Sequence, residues 1–124
     1  MSTLNIGKDF SGDPAGRYRS DGGYNGEMFR EDYLRDRITA LKDDEILTII
    51  LDDNVESYGS SFLTEAFAGM VKYGYIDAQS FLDKIDLKVK SNNDFEFYKD
   101  RIIKYVQEAH FNSKTYTPTE PLQR

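Results

Sequence analysis

The chain of 124 residues contains no cysteine, which removes disulfides and thiolate zinc sites and fits a reducing compartment. It has a single histidine, His110, placed on the last predicted helix, so paired-histidine metal centres are excluded and Ser61 has no evident general base. Basic residues are in the minority, 16 Lys plus Arg against 22 Asp plus Glu, and the formal charge of −6 opposes non-specific attraction to nucleic acid or anionic lipid. No apolar run approaches a membrane span, and Met1 to Phe10 lacks the basic and apolar regions of a secretory leader. There is no Walker or dinucleotide fingerprint, no nucleophile elbow, no internal repeat and no low-complexity tract. These gaps predict a cytoplasmic protein that is not an enzyme, with no cofactor and no metal, and with neither nucleic acid nor membrane as partner.

What the chain does contain is the alternation of strands and amphipathic helices that makes an α/β domain. Leu4, Ile6 and Phe10 suggest an opening strand, followed from Ser11 to Gly26 by a loop rich in Gly, Pro, Arg and Tyr. Met28, Phe29, Tyr33, Leu34, Ile38 and Leu41 recur at helical spacing, with Arg30, Glu31, Arg35 and Asp36 on the intervening face, and predict a surface helix over Glu27–Leu41. Ile46 to Leu51, ILTIIL, is continuously apolar and too short for a helix, as expected of a central strand covered on both faces. Phe62, Leu63, Ala66, Phe67, Met70 and Val71 form the stripe of a second helix that stops near Tyr73 and Gly74. Ile85, Leu87 and Val89 alternate with charged residues, the pattern of a less central strand. Asn93 and Glu96 have capping-box spacing before a last helix reaching about Phe111. One domain over 1–112 and a flexible tail over 113–124 are expected, with a central mixed or mostly parallel β-sheet covered by amphipathic helices.

The stretch Leu51–Met70, LDDNVESYGSSFLTEAFAGM, places Ser60 and Ser61 at a helix start, where backbone N–H groups and the macrodipole favour an anion. Plain N-capping by a serine hydroxyl, at about 1 kcal/mol, is the structural alternative. Asp52, Asp53 and Glu56 are read as turn residues, with a carboxylate metal cluster as the competing reading. Glu65 lies four residues after Ser61 and is read either as an exposed residue at the margin of the stripe or as a partner of Arg17 or Arg19 that fixes the loop over the serine turn. Arg17 and Arg19, with Gly16, Gly22, Gly23 and Gly26, also suggest an anion pocket.

The strand, acidic bend, serine pair and helix of Ile46–Val71 resemble the STAS fold of bacterial anti-sigma-factor antagonists. GRYRSDGGYNGEMFRED at Gly16–Asp32, followed by SYGSSFLTEAFAGMV at Ser57–Val71, is similar to the STAS-like family of unknown function, a resemblance that runs from Leu4 to about Phe111. It implies a STAS-like sandwich in a bacterial or phage protein. It also implies a regulatory partner switch in which Ser61, beside Ser60, is phosphorylated by a serine kinase of the histidine-kinase-like ATPase fold. The antagonists place Asp before the serine pair and Gly after it, whereas here Gly59 precedes and Phe62 follows, Phe62 filling the core or presenting an apolar anchor. The expectation is therefore a protein-interaction module. The alternatives are a binder of a phosphorylated small ligand or nucleotide through Arg17, Arg19 and the serine helix start, and a homodimer formed through the acidic helix surfaces.

Overall fold

The apolar run around Ile46–Leu51 yields strand β2, Leu47–Ile50, in the middle of a three-stranded sheet between β1, Ser2–Asn5, and β3, Ile85–Lys88. Both pairings are parallel. The computed structural model describes residues 2–112 and 115–120. The register sets Leu4 beside Ile49 and Ile49 beside Leu87, and all three are buried, so this face of the sheet belongs to the core. Side chains alternate between faces along a strand. Leu47 and Ile49 are sealed while Thr48 and Ile50 are half-buried, so β2 is closed fully on one face only, which its uninterrupted apolar sequence did not suggest. On β3, Leu87 is buried while Asp86 and Lys88 are exposed, as the charged alternation predicts for an edge.

The opening strand ends at Asn5 rather than continuing to Phe10. The Asn5 side chain accepts from the Lys8 N–H at 3.0 Å, and the Asp9 carboxylate accepts from the Asn5 N–H at 2.8 Å. These reciprocal bonds wind Ile6–Phe10 into one wide helical turn that still buries Ile6 and Phe10.

Gly26–Phe29, a wider π turn over Arg30–Leu34, and Arg35–Thr39 run on as one helix, α1, residues 26–39. Asn25 starts it by accepting from the Met28 N–H at 2.8 Å, and Phe29, Leu34 and Ile38 form its buried stripe. Ser60–Leu63, Thr64–Ala68 and Gly69–Lys72 likewise form α2, residues 60–72, and all six apolar residues of its predicted stripe are buried. The chain leaves α2 through Gly74 at φ 78°, a left-handed conformation suited to glycine.

A third helix, α3, Ala78–Lys84, was not expected. Asp77 caps it by accepting from the Ser80 N–H, and Phe81 is its one fully buried residue. Seven residues are too few to display a helical period. The last helix, α4, is Glu96–Glu108, shorter at its end than predicted. Its approach is a 3-10 turn, Asn93–Phe95, begun by Asn92, whose side chain accepts from the Asp94 N–H at 3.1 Å, and this replaces the expected Asn93–Glu96 box. Helix α2 touches both α1 and α4, while α3 joins α4 to β3. No helix among the described residues is long and apolar enough to cross a membrane.

Of the expected tail, residues 113, 114 and 121–124 lie outside the described residues. Within 115–120, the Tyr116 hydroxyl donates to Glu27 Oε2, and Thr119 donates to Glu27 through its hydroxyl at 2.7 Å and its N–H at 3.0 Å.

Candidate functional site

Ser60 and Ser61 are the first two residues of α2, and both are exposed. Neither caps it. Gly59 holds the cap position with extended backbone, φ −80° and ψ 150°, and no side chain bonds the first turn. The capping reading of the serine pair is therefore overturned, because both residues already lie inside the helix. The loop before them is fixed from below: Val55 is buried, and the buried Tyr58 hydroxyl donates to the Leu51 carbonyl at 2.6 Å. Tyr58 stacks on Phe62 at 5.9 Å and meets Tyr98 edge-on at 5.3 Å. Phe62 is fully buried among Phe10, Phe29 and Tyr58, so it fills the core and offers no anchor at the surface.

The acidic bend is structural. Asp52 accepts three backbone N–H bonds at 2.8 Å, from Lys90, Ser91 and Asn92, tying the end of β2 to the turn after β3. Burial pushes its carboxyl upward, but those N–H donors outweigh that and hold it below the usual carboxylate range. Asp53 accepts from the Asn5 side chain at 2.7 Å. No group of three or more His, Asp or Glu side chains able to hold a metal ion occurs among the described residues.

The loop before α1 carries Arg17 to the serine turn. Asp21 accepts from the N–H groups of Arg17 and Tyr18 at 3.0 and 2.8 Å, and Gly26 and Glu27 donate to the carbonyls of Gly16 and Arg17. Held in this way, Arg17 sends Nη2 to within 3.5 Å of Ser61 Oγ, at the long limit of a hydrogen bond. Arg19 goes elsewhere. It makes a two-pronged pair with Asp32 at 3.0 and 2.8 Å and lies 3.6 Å from Glu27, so the expected two-arginine anion pocket is not assembled.

Glu65 is 4% exposed and pairs with neither Arg17 nor Arg19. Its partner is Arg30, which the helical pattern assigned to the outer face of α1 and which has no exposed surface at all. Arg30 Nη1 donates to Glu65 Oε2 at 2.6 Å and to the Glu65 carbonyl at 2.8 Å, and Nε donates to Glu31 at 2.8 Å. Its guanidinium carbon lies 4.6 Å from the Tyr73 ring centre and 5.0 Å from that of Tyr116. Nη2 has no hydrogen-bond partner among the described residues, and the two rings are what compensates it. Burial works against the charge on Arg30, but the bonds to Glu31 and Glu65 prevail and raise its pKa.

Sequence reasoning missed this pair, although two signals carried it: a lone carboxylate, Glu65, inside an apolar stripe, and Gly69 one turn later. A Cβ on Gly69 would stand 2.5 Å from Arg30 Nη1, so only glycine leaves room for the guanidinium. At the other end of the contact, a Cβ on Gly26 would lie 2.9 Å from the Phe62 carbonyl. Glycines on α1 and α2 thus let the two helices approach closely, and this sets where the serine turn sits relative to the Arg17 loop.

No curated protein and no solved structure matches the chain. A family model described as a STAS-like domain of unknown function (DUF4325) matches residues 32–95, a span that includes β2, the acidic bend, Ser60, Ser61, Glu65 and β3 but begins after Arg17, Arg19 and Arg30. With more than half of its length matched and a parallel sheet covered by helices, the chain belongs to this STAS-like family.

Proposed function

We propose that the protein is a regulatory interaction module whose surface at the start of α2 is switched by phosphorylation of Ser61. The observation that carries this reading is the exposed Ser61 hydroxyl in an uncapped first turn, 3.5 Å from the guanidinium of Arg17. A phosphoryl group there adds about −1.5 to −2 charges. The free N–H groups of the first turn, the helix dipole and Arg17 supply the complementary positive field. Because Phe62 and Tyr58 beneath the turn are already packed, modification leaves the fold intact. A partner matched to a neutral hydroxyl would lose its fit through repulsion and desolvation. The partner expected is a serine kinase of the histidine-kinase-like ATPase fold.

Affinity purification from the native cell with wild type, Ser61→Ala and Ser61→Glu tests this. Recovery of such an ATPase by wild type and Ser61→Ala but not by Ser61→Glu supports the switch. Equal recovery by all three, or by none, overturns it.

A further inference from the structure

We propose that the cleft between α2 and the end of α4 binds a small organic phosphate bearing hydroxyl groups, of the sugar-phosphate or nucleotide class. The cleft has a volume of about 340 Å³ and is lined by Arg17, Thr64, Lys72, Tyr105, Glu108 and His110, among others. That volume lies within the range of small-molecule sites, roughly 300–1,000 Å³.

Two cationic side chains, Arg17 and Lys72, and the His110 imidazole meet there in a chain whose formal charge is −6. Arg19, Arg30 and Arg35 are committed to carboxylates, whereas Arg17, Lys72 and His110 make no ion pair among the described residues. Arg17 comes from the loop before α1, Lys72 from α2 and His110 from the segment just past α4, and with Glu108 the one lining carboxylate left without an ion pair among the described residues, the two cations keep the concavity net positive. Glu65, which also lines the cleft, is neutralised by Arg30 and does not cancel that field.

The rest of the lining sets the ligand class. Thr64 and Lys72 are two turns apart on one face of α2, about 12 Å along the helix, so the cleft is long enough for more than an inorganic ion. Tyr105 provides a ring and a hydroxyl, and Glu108 an acceptor for ligand hydroxyls that a bare phosphate lacks. This site does not depend on modification of Ser61. It also departs from a pocket built on Arg17 with Arg19, since Arg19 is bound to Asp32.

The test is calorimetric titration of the full chain with ribose 5-phosphate, AMP, inorganic phosphate and ribose. Binding of either phosphate ester at least tenfold tighter than inorganic phosphate and ribose is expected. Lys72→Ala and His110→Ala should each weaken it severalfold, while Lys104→Ala, which removes a charge outside the cleft, should leave it unchanged. His110 is exposed, so its variant keeps the test open if Lys72→Ala fails to fold. Absence of binding, equal affinity for inorganic phosphate, or equal losses in all three variants would overturn the assignment. None of these outcomes touches recovery of a protein partner by Ser61 variants.

Discussion

Arg30 and Glu65 join α1 to α2 through an ion pair of 2.6 Å that is all but closed to solvent. It is the inner end of a longer chain of charges: Glu31 accepts from Arg30 on one oxygen and from Arg35, at 3.1 Å, on the other. The Tyr75 hydroxyl also donates to Glu31 at 2.7 Å, and burial together with this bond pushes its pKa up to about 12. Ion pairs thereby run from the surface of α1 to its buried face, with Glu31 accepting from three donors and Glu65 from Arg30. Such a network fixes the relative position of two helices more sharply than apolar packing alone.

Removing one partner strands the other. Glu65→Ala should lower unfolding free energy by about 3–5 kcal/mol, because Arg30 would remain buried without the carboxylate that accepts from Nη1, keeping only its bonds to Glu31 and to the backbone carbonyl of residue 65. Glu65→Gln keeps an oxygen acceptor and should cost less. Urea denaturation of the two variants decides the point. Equal and small losses would show that the pair contributes little to stability.

Gly69→Ala reverses an ordinary expectation. In a helix interior the change usually stabilises, by up to about 1 kcal/mol. Here the added methyl would stand 2.5 Å from Nη1 and 3.0 Å from Cδ of a sealed Arg30. The expected outcome is a loss of about 1–3 kcal/mol. In a background where Arg30→Met and Glu65→Leu remove the ion pair together, the penalty should disappear, and thermal unfolding of the four proteins gives the coupling directly.

Asp52 should make stability fall on acidification. Its folded-state pKa lies below its unfolded value, so its contribution is complete above the unfolded pKa, about 4, and drains away as pH falls through the folded one. Asp52→Asn should therefore cost about 1 kcal/mol at pH 7, comparable to a lost helix cap. The gap from wild type should shrink toward pH 3. A gap that stayed constant across pH 7 to 3 would show that the carboxylate charge is not what holds the turn after β3.

Elements with a strong period or an unbroken apolar run could be read from sequence: β2, the stripe of α2, and the placement of β3 at an edge. The start of α2 at Ser60 and Ser61 is legible as well, because Gly59 and the bend before it mark the helix start. What could not be read depends on pairings across the fold. Arg30 looks solvated on a helical wheel, and Glu65, 35 positions later, the Tyr73 and Tyr116 rings and the space left by Gly69 make its burial tolerable. The end of β1 turned on Asn5 and Asp9 hydrogen-bonding each other's neighbourhood, a local contest in which side-chain bonds displaced a strand pattern. Arg17 and Arg19 are equivalent in sequence, yet Asp32 takes one and leaves the other beside Ser61.

Tyr116 links the C-terminal segment to both charged clusters, since its hydroxyl donates to Glu27 and its ring covers Arg30 beside Tyr73, which it meets edge-on. Glu27 has no exposed surface, and burial drives its carboxyl upward. The bonds from Thr119, Tyr116 and Arg19 more than offset this and leave its pKa lowered. Tyr116→Phe keeps the ring on Arg30 but withdraws one donor from a buried carboxylate, at a cost of about 1–3 kcal/mol. Its folded-state pKa should then rise toward or above the unfolded value. Glu27 thus contributes stability in wild type above about pH 4, and the Tyr116→Phe protein should show a smaller gain as pH is raised from 3 to 7. Ending the chain after Asn112 removes the hydroxyl, the ring and both Thr119 bonds together, and should cost more than the single substitution. Equal stability of the truncated and full chains at pH 7 would show that residues 115–120 add nothing to the fold, and that the network around Arg30 is complete without them.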